Sequence, residues 1–183
     1  MMNGLLYYSS KYGTTERIAK WICSSITCAN VQTAHIGNDI QNISADFYIL
    51  GIPIYIGKPL PGIIEVLQSL NLIINDKPLF LYIVSWAQST PFNAECVKFL
   101  ELIHGYLRPC RPILSCSLPG WLDMEQLTPP DRRVMGRLLR RLDTMSDQFD
   151  SSKLKFVDRS DEQKSKQFGC DINRWLENKS SLF

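Results

Sequence analysis

The sequence predicts an α/β protein built on a doubly wound, five-stranded parallel sheet of strand order 2-1-3-4-5. Three observations carry this. Short apolar runs alternate with helix-period stretches between Leu5 and Leu118, the order that gives a parallel sheet with right-handed crossovers and helices on both faces. The first, third and fourth runs are the most uniformly apolar, as expected of strands covered on both faces. The second alternates only weakly, which puts it at an edge. A chain of 183 residues, 45% hydrophobic and 21% charged, suits one domain with a substantial core. That domain is taken as 1–183, a core over about 1–118 followed by a helical extension over about 119–183.

Each element follows from its own pattern. Leu5, Leu6, Tyr7 and Tyr8 form the first strand. After SSKYGTT, the residues Ile18, Trp21, Ile22, Ser25 and Ile26 recur at helical spacing, opposite Glu16, Arg17 and Lys20. Val31–Ile36 reads as the edge strand and Phe47–Gly51 as a short buried one. Pro61 opens a helix through Ile63, Ile64, Leu67 and Leu70, and Leu79–Val84 is the most hydrophobic strand. Phe92–Ile103 is helical and Ile113–Leu118 is the fifth strand. Thr128 caps a further helix, with Pro129 and Pro130 in its first turn. Met135, Leu138, Leu139, Leu142 and Met145 form its apolar face, and Arg133, Arg137, Arg140 and Arg141 lie opposite. Asp147–Asp161 reads as a polar surface connection, and a last helix from about Ser160 buries Phe168, Ile172, Trp175 and Leu176.

Bulk chemistry narrows the function. No apolar run reaches the roughly 18–20 residues of a membrane span. MMNGLLYY lacks the basic region and apolar core of a secretory signal. The six cysteines show no CxxC pairing, and several sit in apolar segments as small hydrophobes. The expectation is a reduced, cytoplasmic chain, peripheral to a membrane at most. A net charge of +2 is too small to argue for nucleic acid.

The segment SSKYGTT leaves the first strand and opens a helix, at the point where the strand order reverses. A helix N-terminus there holds a phosphate through its free N–H groups and positive dipole end. Ser10, Thr14 and Thr15 add hydroxyls, and Gly13 lets the backbone curl. An ordinary capped helix start is the competing reading. Neither GxGxxG nor GxxxxGK[ST] occurs. The acidic residues of a phosphoacceptor domain are missing after strands one and three, which end in SS and GIP. No cysteine has arginine six residues later, as a cysteine phosphatase of the CxxxxxR type requires.

Three loops together resemble the flavodoxin family. The stretch Ser9, Ser10, Lys11, Tyr12, Gly13, Thr14, Thr15 is similar to its hydroxyl-rich phosphate loop, with Tyr12 departing from a smaller hydroxyl residue. GIPIYIGKPLPG, which holds Pro53, Ile54, Tyr55, Ile56, Gly57 and Lys58, resembles the second flavin-contacting loop. SWAQSTPF, which holds Ser85, Trp86 and Ala87, stands where the third belongs. The resemblance covers Gly4–Ser117 and implies a flavodoxin-like fold with non-covalent FMN. It also implies redox chemistry on the flavin, with no catalytic side chain and no metal. Tyr55 and Trp86 are the aromatic candidates beside a planar ring, although Tyr55 also reads as a loop anchor. His35 and His104 read as structural.

Within the family, the YSS-basic-x-G-x-T opening and the basic C-terminal region are most similar to the branch containing menaquinone-linked protoporphyrinogen dehydrogenase. The resemblance thus implies an electron-transfer protein or oxidoreductase, with the enzyme favoured over a pure carrier. Its partner would be a redox protein, a quinone or a small redox substrate. A flavin-free interaction module is the alternative that Tyr12 favours. The arginine face reads either as a solvated surface or as a docking site for an acidic partner or an anionic membrane. The Trp121 segment is long enough to form a roof over the site.

Overall fold

The structure, a computed structural model, describes residues 1–36, 45–74, 76–90, 92–107, 110–145 and 156–180. The chain runs β1 (Met2–Tyr8), α1 (Thr14–Cys23), β2 (Ala29–His35), β3 (Phe47–Tyr55) and β4 (Lys58–Pro59). It continues through α2 (Ile63–Ile74), β5 (Leu79–Ser85), a 3-10 turn (Trp86–Ser89), α3 (Glu95–Tyr106) and β6 (Leu114–Pro119). The extension adds β7 (Trp121–Asp123), α4 (Pro129–Asp143), β8 (Phe156–Asp158) and α5 (Glu162–Ser180).

The main sheet has the order β2-β1-β3-β5-β6, all parallel, with β4 hanging from β3. Setting β4 aside, this is the 2-1-3-4-5 order expected from the apolar runs. The central position of β5 explains its sequence, since all seven of its residues are buried. One sheet face packs on α2 and α3 through Leu50, Ile52, Leu67, Leu70, Ile83 and Ile103. The other packs on α1 and α5 through Leu6, Ile18, Ile22, Phe80, Ile172 and Leu176. Asn173 fastens α5 to the turn after α1, its side-chain oxygen accepting from Thr27 N at 2.8 Å and Cys28 N at 3.0 Å.

Two expectations need correction. The third strand does not stop at Gly51; it runs on to Tyr55 and turns back into β4. Pro53 survives in this strand for a geometric reason. Ser9 N donates to Gly51 O at 3.1 Å, so Gly51 faces β1, and Pro53 faces the same way two residues later. Pairing with β1 has ended by then, and the missing N–H breaks no ladder bond there. The second correction concerns the stretch read as a polar connection. Its residues 156–158 form β8, an antiparallel ribbon with β7 in which Leu122 faces Val157. Residues 147–155 of that stretch, and Pro91 of the third loop, lie outside the described residues.

The extension also builds a third apolar cluster. Leu122, Leu127, Met135 and Leu139 are buried together, with Tyr12, Ile56 and Trp86 packed against them. Thr128 caps α4, its hydroxyl accepting from Asp131 N at 3.4 Å, with prolines in the first turn. No described helix is long and apolar enough to cross a membrane.

Candidate functional site

The phosphate-loop segment is shaped by its neighbours on the sheet. Ser9 is tied to β3 through Gly51, and Ser10 N donates to His35 Nε2 at 3.3 Å. His35 therefore supports the loop, and an edge contact with Tyr8 at 5.5 Å positions its ring. Gly13 then turns into the left-handed region at φ +84°, and α1 starts at Thr14. Gly13 has no side chain to cap α1, so the first-turn N–H groups depend on water or a ligand. Thr14 and Thr15 are buried at that turn.

These residues border a cavity of about 340 Å³ at the carboxyl edge of the sheet, within the range of about 300–1,000 Å³ usual for small-molecule sites. All three sequence-identified loops reach it. The first contributes Ser10, Lys11, Tyr12, Thr14 and Thr15; the second Pro53, Ile54, Tyr55, Ile56 and Gly57; the third Ser85, Trp86 and Ala87. Ser9, Gly13 and Lys58 are not part of its wall. Ser9 holds the loop to β3, Gly13 sets its turn, and the exposed Lys58 pairs with Tyr55 across the hairpin. His104 lies outside the cavity as well; burial holds its imidazole below the ordinary value.

The hairpin between β3 and β4 is unusual. Ile56 and Gly57 both have positive φ, 51° and 76°, the pattern of a two-residue I′ turn that normally favours Asn-Gly. A β-branched residue in that region costs on the order of 1–3 kcal/mol. Ile56 packs against the extension's apolar cluster, which offsets that strain. In the third loop, Ser85 Oγ accepts from Ala87 N at 3.2 Å and starts the turn that carries Trp86 to the wall.

The extension borders a further side of the cavity. Gly120, Trp121, Leu122, Leu127, Met135 and Leu138 complete its wall. Trp121 Nε1 donates to Tyr12 O at 3.2 Å, and Thr128 N donates to the Tyr12 hydroxyl at 3.4 Å. Asp131 accepts from Lys11 Nζ at 2.5 Å and from the Tyr12 hydroxyl. Burial would raise the Asp131 carboxyl, but the bonds from Lys11, Tyr12 and Thr128 win and lower it to about 2. The same bond to Asp131 raises Lys11. Lys11 also stands 5.1 Å above the Tyr55 ring, a cation–π contact. The Tyr55 phenol is raised, by burial first and then by Tyr12 and Asp131 beside it, yet its hydroxyl meets no partner at hydrogen-bonding geometry among the described residues.

Asp131 is the residue the sequence reading missed here. It looks like an ordinary first-turn acid of a capped helix. Nothing in the spacing of the sequence links position 131 to position 11.

Comparison with known proteins agrees with the fold. The Flavodoxin domain family matches residues 5–161. Oxidised flavodoxin 1 from Bacillus cereus superposes with a TM-score of 0.55 at 16% identity, over 94% of this chain and 97% of that one. A flavodoxin from the domain Archaea gives 0.55 at 15% identity, over 96% and 99%. Fusobacterium nucleatum flavodoxin bound to flavin mononucleotide gives 0.55 at 13% identity, over 98% and 99%. No curated protein matches the chain in sequence. With the family matched over residues 5–161 and the sheet order in agreement, this chain belongs to the flavodoxin domain family.

Proposed function

We propose that this protein binds FMN non-covalently in the cavity and transfers electrons through it, as an oxidoreductase acting on a small redox substrate. The observation that carries this is the composition of the cavity wall. It holds the hydroxyls of Ser10, Thr14 and Thr15 at the side-chain-uncapped N-terminus of α1, a donor set suited to a terminal phosphate. The same wall holds Tyr55 and Trp86 with apolar neighbours, suited to a planar ring. These residues fit FMN, and the family's FMN-bound member from Fusobacterium supports the choice.

When bound, FMN would supply one- or two-electron chemistry on its ring. The chain's own part is binding. Backbone N–H groups at Thr14 and Thr15 would hold the phosphate, while Lys11, engaged with Asp131, would add little charge to it. Ile54, Tyr55, Ile56 and Gly57 would border the ring and set its surroundings. Leu122, Leu127 and Met135 give the site an apolar wall.

The extension also favours the finer reading, an enzyme over an open carrier. A partly walled, mainly apolar cavity suits a small substrate. Electron passage to a quinone, as in the protoporphyrinogen dehydrogenase branch, is the reading of this kind that the basic extension supports, in a cytoplasmic setting. The absorbance spectrum of FMN-reconstituted protein tests the cofactor. A chain that stays colourless would serve instead as a flavin-free interaction module. Stopped-flow reoxidation of the reduced protein by a quinone, a carrier protein and dioxygen then separates the acceptors. A carrier protein reacting fastest would reverse the enzyme reading.

A further inference from the structure

The helix α4 has a second working face. Its cavity-lining residues Met135, Leu138 and Leu142 occupy one side. On the opposite side, by helical spacing, Arg133, Arg137 and Arg140, with Arg132 at the edge, line a shallow, open groove of about 730 Å³ together with Pro129 and Gly136, all of them on α4 itself. Arg132 is anchored, its Nη2 donating to Glu125 O at 2.8 Å. Arg133, Arg137 and Arg140 are exposed, and among the described residues none of them meets a carboxylate. Gly136 leaves the groove floor open: a Cβ there would meet only Arg140 Nη1, at 3.9 Å.

We propose that this groove docks an acidic helix of a partner protein. The first argument is charge. Three guanidinium groups with no acid beside them repel one another at i, i+4 spacing (Arg133 and Arg137) and i, i+3 spacing (Arg137 and Arg140), and nothing in the fold of α4 requires that arrangement. An anionic partner removes the repulsion. The second is geometry. Arg133, Arg137 and Arg140 recur at i, i+4 and i+7, a row about 10 Å long. Glutamates at the same spacing on a facing helix match that row, each carboxylate taken by a guanidinium fork. The third is composition. No apolar side chain lines the groove except Pro129, so a membrane would lack the second signal that stable attachment needs.

The groove lies one helix diameter, about 10–12 Å, from the cavity. A docked partner there is placed to exchange electrons with the site, and only this last step rests on the FMN reading. The test uses the full chain, with and without FMN, and two labelled alanine-based helical peptides of identical composition. One carries Glu at i, i+4 and i+7; the other carries the same residues out of register. The in-register peptide is expected to bind at least tenfold tighter at low salt, with affinity falling as salt rises. Arg137→Glu with Arg140→Glu should cost at least tenfold, and the neutral pair Arg137→Gln with Arg140→Gln an intermediate loss, with FMN absorbance and circular dichroism unchanged. Equal binding of both peptides, or indifference to the substitutions, overturns the proposal. Binding to phosphatidylglycerol vesicles with both peptides ignored also overturns it, in favour of lipid. In-register binding by a chain that takes up no FMN upholds the groove and removes the redox step.

Discussion

The Asp131 carboxylate, in the first turn of α4, accepts a hydrogen bond from Lys11 Nζ at 2.5 Å, across 120 residues of sequence. The phosphate-loop lysine is thus neutralised by the extension, and the extension is latched to the loop. A phosphate entering the cradle is a second anion near one ammonium.

Replacing Asp131 by Asn should separate these two effects. The pair is part exposed, 38% for Lys11 and 15% for Asp131, so its loss should cost only about 0.5–1 kcal/mol of stability. The freed ammonium then turns to the ligand's phosphate. FMN affinity is expected to rise about tenfold, whereas riboflavin, without a phosphate, should bind as before. Fluorescence titrations with both ligands give the comparison. Equal changes for the two would show that Asp131 only orders the site.

The same latch sets a pH dependence. Asp131 is lowered to about 2, from an ordinary value of about 3.9. Its contribution is therefore complete above about pH 4 and lost as pH falls towards 2. Lys11 is raised, so its share is complete below its ordinary value of about 10.4 and is lost only as pH rises through the raised one. The stability difference between wild type and Asp131→Asn should be flat from about pH 5 to 9 and shrink below about pH 4. Urea unfolding across that range measures it. A difference that shrinks between pH 6 and 8 would show that another group controls the latch.

How legible all this is in the sequence depends on which forces leave a pattern. Strands β1, β3 and β5 are covered on both faces, so burial writes continuous apolar runs, and the sheet order follows. All three loops reach the cavity wall, and they are legible because the phosphate and ring binding proposed for them would restrict residue types locally. The turn at Ile56 and Gly57 is not, since its positive φ angles are held by contact with the extension, where a local signal would be Asn-Gly. The ribbon of β7 and β8 has three residues on each side, too few for an alternation to show. Asp131 reaches Lys11 only once the extension folds back, and no local rule encodes that distance.

Arg17 offers a test of what pins the ribbon down. Its Nη2 donates to both Asp158 oxygens, at 3.0 and 2.9 Å, and to Ser160 Oγ at 2.7 Å. Its guanidinium also lies 5.3 Å from the Trp21 ring and 5.5 Å from that of Trp121. The part-exposed ion pair is worth about 0–1 kcal/mol, and two cation–π contacts about 0.5–1 kcal/mol each. Stacking therefore outweighs the pair. Arg17→Ala should lose about 1–2 kcal/mol in urea unfolding, and Arg17→Lys, which keeps charge without the planar fork, should recover less than half of that. Near-complete recovery by Lys would show that charge suffices and that the planar guanidinium adds nothing.

Gly13 and Gly62 give a matched pair for the phosphate loop. Their φ angles are +84° and +82°, and a Cβ at either would meet nothing within 4 Å. Alanine at each position therefore brings backbone strain of about 1–2 kcal/mol and no clash. Stability losses should be alike for the two variants. Function should divide them, because Gly13 sets the entry to α1 beside the cavity, while Gly62 precedes α2 and is not in the cavity wall. A loop that relieves its strain by leaving the left-handed region pulls the Thr14 and Thr15 N–H groups off the phosphate. Gly13→Ala should then weaken FMN at least tenfold and riboflavin far less, with Gly62→Ala near wild type for both. Thermal melts and flavin titrations on the two variants provide the readings. If Gly13→Ala matches Gly62→Ala in FMN affinity, the phosphate does not sit at the N-terminus of α1.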